Sequence, residues 1–477
     1  MLYKFVTYSF LLPKLIFLIL LSLPLHLFSQ MKINEVNIAP NNNTWVHIRE
    51  ISFSGNTISK SHIVLRDMSI QPGDSILATD LDFELNYNKK RILNLQLFST
   101  VKYKVTTIHP DTIDVEFQVT ELFYWLTKPL FSLADRNLNV WWFEQNHRLD
   151  RTNIGLEFTR INFRGRNEKI GAIVQGGYNK HFELFYSNPY IDKHLKHGFG
   201  INVLYATGRE INYITDSNKL YFYRSEHYPY QRFQAKLAYT YRNAYAAIHE
   251  VNLSYHFFNI SKPLFDLSPV FLGPRRRINY FELNYIFKYN NTDIRLYPIN
   301  GIEMKTILSK KGLGIDKDVN QLSLYTESSF YRNVYNNISA SLVFRGRVSF
   351  PQAQPYYFNR AMGFKNEYVR GYEYYVIDGS HYALLRSNIR YKVLDFIWTQ
   401  NFVKLIKHIP IKVYSKVYND IGYVHNYNPM NSFLNNRFLN GYGAGVDILL
   451  SYYAKLRIEY SFNHLKQNSL FLHTTKE

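Results

Sequence analysis

Residues 369–372 read Val369-Arg370-Gly371-Tyr372 and lie between stretches in which apolar and polar residues alternate. An arginine on a glycine turn beside an aromatic ring is suited to ion pairing rather than to bond making. Its planar fork matches a carboxylate bidentately. It therefore finds an acidic partner elsewhere in the fold or stays a solvated loop cation. A second charged set, Asp293-x-Arg295-x-x-Pro298-x-x-Gly301, spaces a carboxylate and a guanidinium two residues apart. On a strand these two share a face and can pair, while Pro298 and Gly301 set a hairpin turn. Turn chemistry alone accounts for most of that pattern. No set carries catalysis. His194 and His197 stand without a spaced carboxylate or cysteine to complete a metal site. No Gly-x-Ser-x-Gly, Walker or dinucleotide pattern occurs. The expectation is no enzyme, no cofactor and no metal.

The segments that must position these residues have a period of two. Phe233, Ala235, Leu237, Tyr239 and Tyr241 alternate with Arg232, Gln234, Lys236, Thr240 and Arg242. Leu456, Ile458, Tyr460 and Phe462 alternate with Lys455, Arg457, Glu459 and Ser461. One face suits lipid and the other carries charge. A soluble sandwich also alternates. These runs, however, reach the ~9–11 residues that cross a bilayer obliquely, and they recur from residue 122 to 477 without a helical interruption. Spacing gives about 16 strands, in the even series of membrane barrels. The expected fold is mostly β, a transmembrane antiparallel β-barrel whose closure removes edges that hydrocarbon does not tolerate.

Composition agrees. The chain has 41 Tyr and 35 Phe against 6 Met and no Cys, and aromatic rings gather at both interfaces of outer-membrane barrels. A mean hydropathy of -0.27 fits strands that show lipid only half their residues. The absence of cysteine excludes disulfides and thiolate chemistry. The net charge of +19 allows a nucleic-acid surface, contacts with acidic lipid headgroups, or a cationic lumen with basic loops. Apart from Pro274-Arg275-Arg276-Arg277 the cations are dispersed, and the N-terminus is an export signal. No nucleic-acid partner is expected. Lys4 and Lys14 precede an apolar run from Leu15 to Phe28, a secretory leader over 1–29 with cleavage after Ser29. The alternative is a membrane anchor, but the run is shorter than the ~20 residues of a spanning helix. A polar linker, 30–43, follows.

Residues 44–121 read as a small α+β module of order β-α-α-β-β. Val46, Ile48, Ile51 and Phe53 make a strand ending at Gly55-Asn56. Ser59 is placed to cap a helix carrying Ile63, Val64 and Met68. A second helix starts near Thr79-Asp80 and carries Leu81, Leu85, Ile92, Leu93 and Leu95, with Lys89, Lys90 and Arg91 solvated. Strands over 99–107 and 112–120 flank a turn at His109-Pro110-Asp111.

The order of these elements, with the early Gly-Asn turn and Leu97-Phe98-Ser99-Thr100-Val101, resembles a polypeptide-transport-associated (POTRA) domain. Further motifs line up behind it. They are Arg160-Ile161-Asn162-Phe163-Arg164-Gly165-Arg166, Asn188-Pro189-Tyr190, the 293–301 set, Val369-Arg370-Gly371-Tyr372, and Asn419-Asp420-Ile421-Gly422. From about residue 44 onward the ordered set resembles the BamA/TamA superfamily of outer-membrane assembly and translocation proteins, the bacterial surface antigen family. The resemblance implies a periplasmic POTRA domain that offers a strand edge to unfolded or nascent outer-membrane or secreted polypeptides. The bland counterpart is a structural plug or spacer. It also implies outer-membrane lipids and periplasmic or lipoprotein accessory subunits as partners. Arg370 would lie on an extracellular loop folded into the lumen, with Asp420 as its partner on the wall. Many members carry a glutamate where this chain has Asn388, so a second acidic contact to Arg370 is expected to be missing there and the lock to be looser or differently satisfied. Tyr190 is expected in an interface belt. The last strand, Ser469-Leu470-Phe471-Leu472-His473, lacks the usual terminal aromatic, so a short, weakly paired seam with the first strand is expected. A single POTRA-like domain favours an accessory role in assembly or translocation. The alternative is a passive outer-membrane channel or structural barrel with no client polypeptide.

Overall fold

The computed structural model describes residues 44–134, 140–314, 319–364, 366–399, 408–450 and 454–473. The expected leader and linker lie outside the described residues. The N-terminal module comprises β1 (Trp45–Ser54), α1 (Ser61–Leu65), β2 (Ser75–Leu77), α2 (Leu81–Asn94), β3 (Phe98–His109) and β4 (Thr112–Glu121). The sheet order is β2-β1-β4-β3, with β1 parallel to β4 and β3 antiparallel to β4. The parallel pair needs a long crossover, which the helical segment supplies. Leu85 and Ile92, two turns apart on α2, pack with Ile48, Val64, Val115 and Phe117 into one core. The short strand β2 was not foreseen.

The sequence then forms β5 (Trp125–Leu133), β6 (Thr152–Phe163), β7 (Glu168–Gly177), β8 (Asn179–Asn188) and β9 (His197–Gly208). An outer hairpin, β10 (Glu210–Asp216) and β11 (Lys219–Arg224), interrupts the series. It resumes with β12 (Tyr230–Tyr241), β13 (Ala247–Ile260), β14 (Arg277–Asn290), β15 (Gly301–Lys311), β16 (Gln321–Tyr335) and β17 (Ile338–Phe350). After the short strands β18 (Arg360–Met362) and β19 (Ile377–Asp378), it ends with β20 (His381–Thr399), β21 (His408–His425), β22 (Phe438–Leu450), β23 (Ala454–Asn463) and β24 (Asn468–His473). Sixteen of these strands form one antiparallel sheet in chain order, apart from the two short hairpins. The expected count is met.

Burial follows the alternation. In β23, Lys455, Arg457, Glu459, Ser461 and Asn463 are buried, while Tyr460 and Phe462 are exposed. Ile154, Leu156, Phe158, Leu184, Ile389 and Val417 likewise point outward and uncovered. A sheet with its charges inside and its apolar side chains outside matches a hydrocarbon solvent. Among the described residues no helix is long and apolar enough to cross a membrane.

The sheet curls round a lumen. The turn after β14 brings Tyr297 to 4.6 Å from Tyr414 of β21, ring centre to ring centre. A cavity of about 1670 Å³ is lined from Ala134, next to β5, round to His473 of β24. No ladder joins β5 to β24 among the described residues. The strand chemistry supplies a reason. β24 has 6 residues, and Pro129 within β5 has no N–H to give.

Candidate functional site

Between β17 and β20 the chain turns back into the lumen and buries Arg370, which is 1% exposed. Its fork meets Asp420 of β21. Nε donates to Oδ2 at 2.8 Å and Nη2 to Oδ1 at 2.5 Å. The backbone N–H of Arg370 donates to the same carboxylate at 3.1 Å. The guanidinium lies 3.8 Å above the Tyr418 ring. Nη1 donates to Asn388 Oδ1 at 2.7 Å and to Glu459 Oε1 at 3.1 Å. The contact thought missing at Asn388 is therefore made from β23. Asn388 accepts one bond, and Glu459 brings the second carboxylate. Alternation had placed Glu459 on the polar face without showing that its strand lies across from the loop.

The loop also braces the end of the sheet. Tyr374 packs on Phe471 with ring centres 5.7 Å apart, and Tyr368 stacks on His473 at 5.7 Å. Asn463 Nδ2 donates to the Gly371 carbonyl at 2.7 Å, and the Tyr372 hydroxyl bonds His464. Val369 and Tyr372 are buried with Met362, Leu384 and Val424. Gly371 has φ +92°, a conformation that side-chain-bearing residues rarely adopt. Gly441 on β22 makes room for the loop, since a Cβ there would stand 1.8 Å from the Arg370 carbonyl oxygen. Gly441→Ala is therefore expected to displace the loop without removing a charge. Hydrogen exchange of the β24 amides reads this. Protection at the wild-type level would mean that the loop does not brace that strand.

The 293–301 segment differs from the expected paired hairpin. It is an irregular turn between β14 and β15. Asp293 Oδ1 accepts the backbone N–H groups of Ile294 (2.8 Å), Ile299 (3.0 Å) and Asn300 (3.2 Å), so it caps the turn and is not paired with Arg295. Consecutive N–H groups converging on one carboxylate outcompete a flexible side-chain partner. The turn is also more than a turn, because Tyr297 and Pro298 enter the lumen. Tyr297 Oη donates to Asp447 of β22 at 2.9 Å, and Arg390 Nη1 donates to the Pro298 carbonyl at 3.2 Å. Gly301 opens β15.

Three expectations for the first module change where it meets the barrel. Ser59 does not cap α1, whose N-cap Lys60 makes no side-chain bond. The Ser59 hydroxyl instead bonds Tyr124 Oη at 2.8 Å and accepts Asn162 Nδ2 at 2.8 Å. Arg91 is not solvated. Its Nε donates to the Asp67 carbonyl at 2.6 Å, and its guanidinium covers the Tyr245 ring at 3.7 Å. Tyr190 is not in a membrane belt. It is 1% exposed, and its hydroxyl accepts Arg242 Nη1 at 3.0 Å beside Asp67. Asp67, 1% exposed at the side chain, pairs with Arg242 at 2.6 Å and Arg66 at 3.4 Å. Each of these residues looks like an ordinary surface or cap residue until the barrel turns cover it. Among the described residues no His/Cys/Asp/Glu group is arranged to hold a metal.

A strand-edge module seated on a β-barrel whose lumen holds a buried arginine loop defines a class of outer-membrane transport barrel. Comparison with known families agrees with that class. The POTRA pattern, described as a surface antigen variable number repeat, matches residues 46–122. The Omp85 superfamily domain matches residues 162–469, and the chain belongs to that superfamily. In this family the barrel lies in the outer membrane, the POTRA domain is periplasmic, and members serve outer-membrane assembly or polypeptide translocation. Among solved structures, BamA from Haemophilus ducreyi lacking POTRA domains 1–3 is similar at TM-score 0.51 and 16% identity. The match covers 90% of this chain and 83% of that one. CdiB from Escherichia coli is similar at TM-score 0.55 and 9% identity, over 90% and 76% of the two chains. At these identities the likeness is one of fold. A search of curated proteins with the sequence returns no match.

Proposed function

We propose that this protein captures exported polypeptides at its POTRA domain and inserts them into the outer membrane or passes them across it. The Arg370–Asp420 lock sets the shape of the lumen. The observation that carries this reading is the buried arginine loop bracing β23 and β24 at an end of the sheet where no ladder joins β5 to β24 among the described residues. Backbone N–H and C=O groups along a strand edge are the means by which an incoming strand is taken up. Release of the loop would free that edge, and client folding would drive the step. The POTRA sheet has its own open edge. Among the described residues β3 pairs with β4 alone, and its outer half is exposed from Lys104 to His109.

The test is photo-crosslinking in cells from Lys102 or Lys104 on β3, both exposed. The expected result is capture of exported, unfolded polypeptides, and no capture from the α2 face at Lys89 or Lys90. Steady ion conduction by the purified protein with no polypeptide crosslinked at β3 would instead identify a passive channel.

A further inference from the structure

The inward loop is held from outside by its own turn, but the ion network that receives Arg370 continues toward the periplasm. Lys416 of β21 is fully buried and touches two carboxylates, Asp447 Oδ1 at 2.8 Å and Glu459 Oε1 at 2.8 Å. Glu459 Oε1 also receives Arg370 Nη1 at 3.1 Å. Asp447 Oδ2 accepts the Tyr297 hydroxyl at 2.9 Å from the periplasmic turn. That turn is gripped on two sides. Arg390 lies 4.6 Å from the Tyr297 ring centre. Asn94, the last residue of α2 in the POTRA domain, donates to the Asp293 carbonyl at 3.4 Å. The side chains of Lys416, Asp447 and Glu459 are all 0% exposed.

We infer that Tyr297, Asp447 and Lys416 are positioning residues for the Arg370 loop, forming a buried relay by which the POTRA-facing turn at 291–300 and the extracellular loop report to each other. The physical basis is that two carboxylates share their cations, the Lys416 ammonium at 2.8 Å from each and, more distantly, the Arg457 guanidinium at 3.5 Å from Asp447 and 3.8 Å from Glu459. In a site without bulk water a charge cannot turn to solvent, so its hold on one partner depends on the other. Withdrawal of the Tyr297 hydroxyl leaves Asp447 drawing harder on Lys416. Glu459 then draws harder on Arg370 and competes with Asp420. A polypeptide pulling on the POTRA domain thus has a path to the far side of the lumen through residues that touch no client. The inference rests on the proposed role of the inward loop. Its test is run without any client, so that the two can fail separately.

The chain has no cysteine, so one introduced thiol is a clean reporter. Ala361, 3% exposed, lines the lumen cavity and packs with Val369 and Tyr372 under the loop. In an Ala361→Cys background, labelling by a membrane-impermeant maleimide measures how far the loop has loosened. Tyr297→Phe, Arg370→Lys and the double variant form a cycle. The expected result is that Tyr297→Phe alone speeds labelling, and that the double variant departs from the product of the single effects by about threefold or more. The departure disappears when Lys416→Gln is added. Asp447→Asn is the second break if Lys416→Gln does not insert. Effects that simply multiply overturn the relay. So does a coupling that survives both breaks.

Discussion

Arg370→Ala is expected to leave a barrel that still inserts but no longer holds its inward loop, with client delivery lost. The residue is 1% exposed and satisfies Asp420, Asn388 and Glu459 together. Truncation removes the bidentate cation of Asp420 and one of the cations at Glu459. Breaking a buried pair from one side costs about 3–5 kcal/mol. Arg386, 3.7 Å from Asp420, and Lys416 at Glu459 offset part of this, so the barrel survives while the loop leaves. Arg370→Lys is expected to rescue poorly. A single ammonium cannot reproduce the two-pronged contact with Asp420 while also reaching Asn388 and Glu459. Two measurements decide the matter. Hydrogen exchange at 468–473 should speed strongly, because Tyr368 and Tyr374 no longer cover that strand. Crosslinking from β3 should persist while delivery stops. Normal delivery by both Arg370→Ala and Asp420→Ala would end the idea that the lock governs transport.

Asp67→Asn is expected to undock the POTRA domain from the barrel. Asp67 is the sole carboxylate among the described contacts between Arg66, Arg242 and the Tyr190 hydroxyl. Without it two guanidinium groups, each mostly buried, face one another uncompensated. The cost is about 3 kcal/mol, or about 100-fold in the docked-to-undocked ratio. Neither domain's core is touched, since Asp67 lies outside the apolar cluster of the module. The readout is chymotrypsin cleavage after Tyr190, which is 1% exposed and packs on Ile63 of the POTRA domain while the domains are docked. Cleavage at the wild-type rate would show that the junction is held by something other than this charge cluster. Glu121 belongs to the same joint. Burial acts to raise its carboxyl, yet donors from Ser59, Thr57 and Ile58 hold it below the ordinary carboxylate range.

Much of the architecture was legible in the chain because it is written in short-range periodicity. A side chain on a strand knows its face from its neighbours two residues away, so the sixteen strands and the lipid-facing and lumen-facing sets follow from alternation. The β-α-α-β-β order of the first module follows from a change of period from two to near four and back. The motif at 369–372 and its partner Asp420 came from resemblance, and the way the lock is completed around Asn388 was out of reach for a physical reason. Alternation places Asn388, Asp420 and Glu459 on the inner wall, but it does not say which of them stand side by side, so that Glu459 would complete the lock beside Asn388 could not be read from it. That is set by the stagger and curl of the sheet, properties of all the ladders together. The same holds for Lys416, Asp447 and Tyr297, which come from three distant stretches. It holds equally for Ser59, Arg91 and Tyr190, whose solvent is replaced by another domain. Which face each residue takes was determined locally by the sequence. Which charges meet across the lumen, and which polar groups are sealed between the domains, only the tertiary structure decided, because those distances depend on how the whole sheet rolls.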